Sequence, residues 1–214
     1  MFVLSDTPSL ANRFLREMRD VRIQNDRMRF RRNLERMGEI MAYEISKSFE
    51  YCSEVIDTPL TTSSALNPIE QPVIISVMRA SLPFYNGFLS YFDQADSGFI
   101  GAFRDESQAG EITVQLGYHA SPSVEGRIII LADPMLATGK SLVESIQSIL
   151  SYGTPKHIHI AAVIAAPEGI EYLSKNISCS YSLWLGAIDE KLNHQSYIVP
   201  GLGDAGDLAF GPKL

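Results

Sequence analysis

Five apolar runs constrain this chain more than any other feature: "VIISVM" (73–78), "GFIGAF" (98–103), "RIIILAD" (127–133), "IHIAAVIAA" (158–166) and "YSLWLGAI" (181–188). They are apolar at successive positions rather than at every second one, as strands covered on both faces require. Between them "PFYNGFLSYF", "SLVESIQSILSYG" and "EGIEYLSKN" read as crossover helices, the middle one stopped by Gly153 and Pro155. The pattern predicts an α/β fold over 73–190, a mainly parallel doubly wound sheet with flanking helices. Ligands are then expected at the carboxyl ends of the strands.

The 214 residues suit a single domain large enough to bury a real core. No apolar run reaches the length a membrane span needs, and "MFVLSDTPSL" lacks the blocks of a signal peptide, so a cytoplasmic protein is expected. Cys52 and Cys179 have no metal or redox spacing and read as incidental thiols.

Ahead of the sheet, residues 1–50 form a helical arm, with helices expected over 9–19 and 26–50. Leu34, Met37, Met41 and Ile45 make the apolar stripe of the second. The stretch "DTPLTTSSALNPIEQP" (57–72) reads as a turn-rich connection. The net charge of -7 disfavours nonspecific nucleic-acid binding, yet nine of the 18 basic residues are arginines before residue 40. Arg13, Arg16, Arg19, Arg22, Arg27, Arg29, Arg31, Arg32 and Arg36 alternate with acids, which predicts an ion-paired or subunit-facing surface rather than a nucleic-acid arm.

The segment "IIILADPMLATGKSL" (128–142) ends like a nucleotide-triphosphate P-loop. Pro134 stands where that loop needs its first glycine, and proline can neither curl that way nor donate an N–H. The better reading is a strand closed by Asp133, a turn over Pro134–Thr138, and a helix opened by Gly139. Its free amides, with the Thr138 and Ser141 hydroxyls, suit a phosphate. An acid beside that cradle suits sugar hydroxyls, so the pair indicates a sugar phosphate.

Arg79 follows one strand and Arg104 another, and two guanidinium forks at a sheet edge suggest a polyphosphate clamp. The last segment, "YIVPGLGDAGDLAFG" (197–211), reads as neither helix nor regular strand. Gly201, Gly203 and Gly206 allow a flat ligand close to the backbone, while Asp204 and Asp207 offer carboxylates to hydroxyls or a metal.

Taken together these stretches resemble uracil phosphoribosyltransferases over nearly the whole chain, most strongly from 73 to 211. "DPMLATGKS" is similar to that family's phosphoribosyl diphosphate loop and "YIVPGLGDAGD" to its uracil loop, and "AAPEGI" (165–170) also matches. The resemblance implies a type I phosphoribosyltransferase fold and conversion of uracil and phosphoribosyl diphosphate to UMP and diphosphate, with magnesium on the donor. It implies that Asp133, Pro134, Met135, Leu136, Ala137, Thr138, Gly139, Lys140 and Ser141 line the donor's sugar phosphate. Arg79 and Arg104 hold the diphosphate, and Asp204 meets the donor directly or through magnesium; these arginines with Asp133 and Asp204 form the expected catalytic set. Tyr197 backs the base, and Ile198, Gly203, Asp204 and Ala205 read it. Residues 104–122 read equally as a flap that closes over the site or as an ordinary solvent-facing β-arm. GTP enters as a candidate effector, and a homodimer or higher homo-oligomer is expected.

Three positions depart from the family pattern: Lys140 and Ser81 stand where glycines are usual, and Leu208 where a basic residue is usual. They leave an alternative, a nucleotide-sensing regulator of the same fold with weak or no catalysis, acting through the arginine-rich arm.

Overall fold

The protein is described by a computed structural model covering residues 1–105 and 113–212, with the side chains of 102–105 and 113–116 outside that description. Its elements run β1 (Phe2–Val3), α1 (Leu10–Arg19), α2 (Arg27–Ser46), β2 (Tyr51–Asp57), β3 (Thr62–Pro68), β4 (Val73–Met78), α3 (Leu82–Leu89), β5 (Asp96–Asp105) and β6 (Thr113–Ala120). They continue with β7 (Ile128–Ala132), β8 (Met135–Leu136), α4 (Lys140–Leu150), β9 (His157–Ala165), α5 (Pro167–Asn176), β10 (Tyr181–Ile188), β11 (Lys191–Leu192), β12 (Ile198–Val199) and α6 (Ala205–Phe210).

The main sheet has the order β1-β10-β9-β7-β4-β5-β6, with β8 also on β9. Every pairing is parallel except β5 with β6. The continuous apolar runs are explained by two cores, one on each face. Ile74, Ile130 and Val163 point to a cluster with Phe30, Leu34, Met37, Met41, Phe84 and Phe88 of α2 and α3. Their neighbours Val73, Ile75, Ile129 and Leu131 point to a second cluster with Leu142, Ile146, Ile149 and Leu173 of α4 and α5. Each fully buried side chain of this size contributes roughly 1.5–3 kcal/mol, so a polar residue in any central strand is costly on either face.

The sequence-based boundaries change in two places. The second helix ends at Ser46 rather than at 50, and the expected turn-rich connection is the strand β3 of a hairpin, β2–β3, closed by Thr58 and Thr61. Both faces of the hairpin are mostly exposed, with Val55, Leu60 and Leu66 at 79%, 96% and 74%. A strand with no buried face shows no alternation, which is why the period-2 signal was missing.

At the amino ends of the strands a polar cluster closes the sheet. Trp184 Nε1 donates to His159 Nδ1 at 3.0 Å, and His157 bridges Ser180 and Ser182 at 2.7 and 2.8 Å. Burial, helped by neighbouring His157, holds the His159 imidazole down at about 4. The indole N–H requires a lone pair on Nδ1, so protonation there would break the bond.

Candidate active site

At the opposite edge, where the strands end, the loop after β7 is tied down along its length. The Asp133 amide donates to Ala161 O, and its carboxylate accepts from the Met135 amide at 3.1 Å. Pro134 O accepts from both Val163 and Ile164, β8 pairs with the end of β9, and the Ala166 amide donates to Leu136 O. The Leu136 side chain is fully buried, so it can serve a ligand only through its backbone. Gly139, at φ +78°, then opens α4, with Thr138 Oγ1 accepting from the Lys140 amide at 3.4 Å. The first turn of an α-helix supplies amides that are not used by the helix itself, and this turn directly follows the loop in which a phosphate is expected.

Gly169, in the "AAPEGI" segment, supports that loop from below. A Cβ there would lie 2.2 Å from Ala137 O, and one on Gly139 would lie 2.8 Å from Gly169 O. Two glycines let α5 and the phosphate loop touch backbone to backbone.

Arg79 follows β4, with a cis Met78–Arg79 peptide. Its Nη2 lies 3.4 Å from Asp207 Oδ1 and 3.3 Å from Gly211 O. Asp207 thus pairs with Arg79, while Leu208 packs against the core; the departure at 208 does not leave the loop without an ion pair. Ser81 needs no glycine either. It sits at φ -73°, in the right-handed region, and its buried hydroxyl bonds Ser76 Oγ and Val77 O at 2.6 and 2.5 Å. Lys140 lies in the first turn of α4, where its charge opposes the rise that burial imposes on the Glu144 carboxyl one turn on.

Arg104 lies inside β5, opposite Val114, rather than beyond a strand end. Its strand runs four residues past the last pairing with β4, at Gly101. The Arg104 side chain, and residues 106–112 of the expected flap, lie outside the described residues; 113–120 of that flap form β6.

The glycine-rich segment is more regular than its composition suggests. Ile198–Val199 pair with Lys191–Leu192, and Ala205–Phe210 form α6, capped by Asp204 Oδ1 on the Asp207 amide at 2.9 Å. That cap explains how a Gly-bearing hexapeptide becomes helical. Tyr197 is 41% exposed, Ile198 is buried, and Gly203, at φ +91°, has no neighbour within 4 Å of where a Cβ would stand. The Ile198 side chain faces the core, so only its backbone can meet a base. One oxygen of Asp204 is committed to the cap.

Behind this loop stands the arginine-rich arm. Arg19 pairs with Asp189 through both oxygens at 2.8 and 2.5 Å and donates to Gly201 O at 3.0 Å. Asp189 Oδ2 also accepts from the Gly201 amide at 2.8 Å. Gln24 donates to Leu202 O and Arg31 to Ala209 O. Arg29 pairs with Glu17, Arg32 with Glu35 and Glu39, and Arg36 bonds Asn33 and covers the Phe14 ring. These partners favour the ion-paired surface over a nucleic-acid arm, and nothing among the described residues favours the regulator alternative. Sequence reasoning gave no role to Asp189, although an acid directly after a buried strand was the signal that singled out Asp133.

No three His, Cys, Asp or Glu side chains gather as a metal site among the described residues. A magnesium ion usually keeps several waters and binds through one or two carboxylates plus substrate phosphates. Asp133 and Asp204 on the same edge fit that mode.

The chain matches the family model described as uracil phosphoribosyltransferase over residues 4–212. It is 47% identical over 206 residues to the uracil phosphoribosyltransferase of Porphyromonas gingivalis, covering 96% of this chain and 95% of that one. It is 39% identical to the Malacoplasma penetrans protein of that name over the full length of both, and 36% identical to that of Pyrococcus furiosus over 100% of this chain and 91% of the relative. A solved structure of a protein from Aquifex aeolicus superposes with a TM-score of 0.85 at 28% identity, covering 96% of each chain. The purine phosphoribosyltransferase of Pyrococcus horikoshii shares the fold, with a TM-score of 0.50 at 16% identity over 74% of this chain and 83% of that one.

Proposed function

The chain belongs to the uracil phosphoribosyltransferase family, and from that membership we propose how its residues transfer a phosphoribosyl group from phosphoribosyl diphosphate to uracil. The enzyme is a pentosyltransferase. The observation that carries the residue assignment is the convergence, at one sheet edge, of the phosphate loop, Arg79 and the segment 197–211, with Arg79 bonded directly to that segment.

In this proposal the amides and hydroxyls of Ala137–Ser141 hold the 5'-phosphate, and Asp133 accepts hydrogen bonds from the ribose hydroxyls. Arg79 and Arg104 neutralise the diphosphate as it leaves and the anomeric carbon becomes positive. Magnesium, when bound on the donor, supplies further charge stabilisation of the leaving group and is met by Asp204. The exposed Tyr197 ring backs the base, and the backbone of Ile198, Gly203 and Ala205 reads its edge. Uracil presents acceptor, donor, acceptor; cytosine's amino group would face a donor and leave a buried mismatch. Catalysis is then positioning and electrostatics, with no side chain acting as a covalent nucleophile.

The proposal extends to a cytoplasmic homo-oligomer, supported by the apolar exposure of Val55, Leu60 and Leu66 on the β2–β3 hairpin. The test is nucleotide formation from phosphoribosyl diphosphate and magnesium with uracil, cytosine, hypoxanthine or orotate, with and without GTP. UMP from uracil alone is expected. Product from another base and none from uracil would overturn the base assignment.

A further inference from the structure

Arg19 and Asp189 are not among the residues proposed to meet the base, yet they hold Gly201, within the loop where it is read, by both of its peptide groups. We propose that the Arg19–Asp189 pair is a positioning clamp for base recognition: it fixes the Gly201 peptide groups from behind and thereby sets the backbone donors and acceptors that meet uracil. The inference rests on the proposed base site and goes beyond it by assigning two residues outside that site.

The geometry is specific. The Asp189 carboxylate, whose side chain is 4% exposed, accepts two bonds from Arg19 and a third from the Gly201 amide. The third Arg19 bond goes to Gly201 O. Asp189 is anchored to the sheet through its amide on Ala165 O at 2.8 Å, and Arg19 is the last residue of α1. Gly201 is therefore tied to a strand end and a helix end at once.

Between β12 and α6, residues 200–204 form neither helix nor strand, so this stretch needs such support. Gly201 lies there at φ +64°, three residues after Ile198 and two before Gly203. A Cβ on Gly201 would lie 2.1 Å from Ile198 O, so the turn is closed on itself and a shift at 201 moves 198. With Gln24 on Leu202 O and Arg31 on Ala209 O, the arm occupies three carbonyls of the segment. A bidentate guanidinium with a further bond has no lysine equivalent, since an ammonium cannot present the planar fork.

Arg19→Met and Arg19→Lys, compared with the unmodified enzyme, test this by steady-state kinetics and by hydrogen exchange of peptides spanning 197–203. The expected result is at least a tenfold rise in the KM for uracil in Arg19→Met, with the KM for phosphoribosyl diphosphate within twofold, and faster exchange of 197–203. Arg19→Lys is expected to restore part of both, and it gives the reading if Arg19→Met does not fold. Unchanged uracil KM and exchange, or equal rises in both KM values, overturns the clamp. An unmodified enzyme that forms no UMP overturns the base-site reading instead, and exchange still decides whether Arg19 holds the loop.

Discussion

Replacing Gly169 by alanine should damage donor binding without touching the donor. In an ordinary helix the change would stabilise by roughly 0.5–1 kcal/mol, because glycine loses more backbone entropy on folding. Here the new Cβ would stand 2.2 Å from Ala137 O and 3.0 Å from Leu136 Cδ1, whereas close carbon–oxygen contacts settle near about 3.3 Å. The phosphate loop and α5 must therefore separate by about 1 Å, and neither moves easily. The loop is bonded to β9 through Pro134 O, and the Leu136 carbonyl accepts from Ala166 at the head of α5; α5 buries Leu173 in the core. Overpacking costs about 1–3 kcal/mol, so the clash wins over helix propensity. A displacement of about 1 Å at a positioning element is worth roughly 100-fold in rate. The assay is kcat/KM for phosphoribosyl diphosphate with thermal melting, alongside Gly126→Ala, a control at φ +66° with no neighbour within 4 Å. The control should lose about 1–2 kcal/mol to its left-handed backbone and keep its kinetics. A Gly169→Ala enzyme with kcat/KM within threefold of the parent and a raised Tm would refute the reasoning.

Asp133→Asn should weaken donor binding about tenfold or more, read by calorimetry, with the fold retained, since the amide oxygen can still accept from Met135; unchanged affinity would remove the ribose assignment. Gly203→Ala should raise the uracil KM, since at φ +91° it strains the loop by about 1–2 kcal/mol although no neighbour lies within 4 Å of the new Cβ; an unaltered KM would place the base elsewhere. Acid should destabilise the protein through His159, whose pKa is lowered from 6.5 to about 4. The unfolded chain then binds the extra proton first, so this stability is complete above about pH 6.5 and is lost as pH falls toward 4, roughly 2 kcal/mol by pH 5. Denaturant titration of His159→Gln should show a shallower loss over that window; an identical slope would reject the assignment.

The parallel sheet was legible because burial on two faces leaves an unbroken apolar signature, as at "IIIL" in β7, and the loop–helix junction at Gly139 was legible because only certain residues tolerate it. The hairpin β2–β3 was hidden because a strand without a buried face carries no period. The helix α6 was hidden because its stability comes from the Asp204 cap rather than from propensity. Arg19 looked like one more surface charge, since its partner is distant in sequence and pairings of that kind leave no local pattern. Ser81 and Leu208 looked like defects against a motif, but their backbone angles and packing are ordinary.

The bond between Arg19 and Gly201 spans 182 positions, and this separation sets a clock on the enzyme's birth. At about 5–20 residues per second, a ribosome needs roughly 10–40 s to make the second partner after the first. Throughout that interval α1 exists without the carboxylate and the carbonyl it will hold. The sheet strands up to β9 can pair meanwhile, but the segment that Arg19 holds cannot be fixed until nearly the last residues emerge. On the proposed assignment, a nascent or truncated chain would thus own a phosphate cradle before it owned any means of choosing a base.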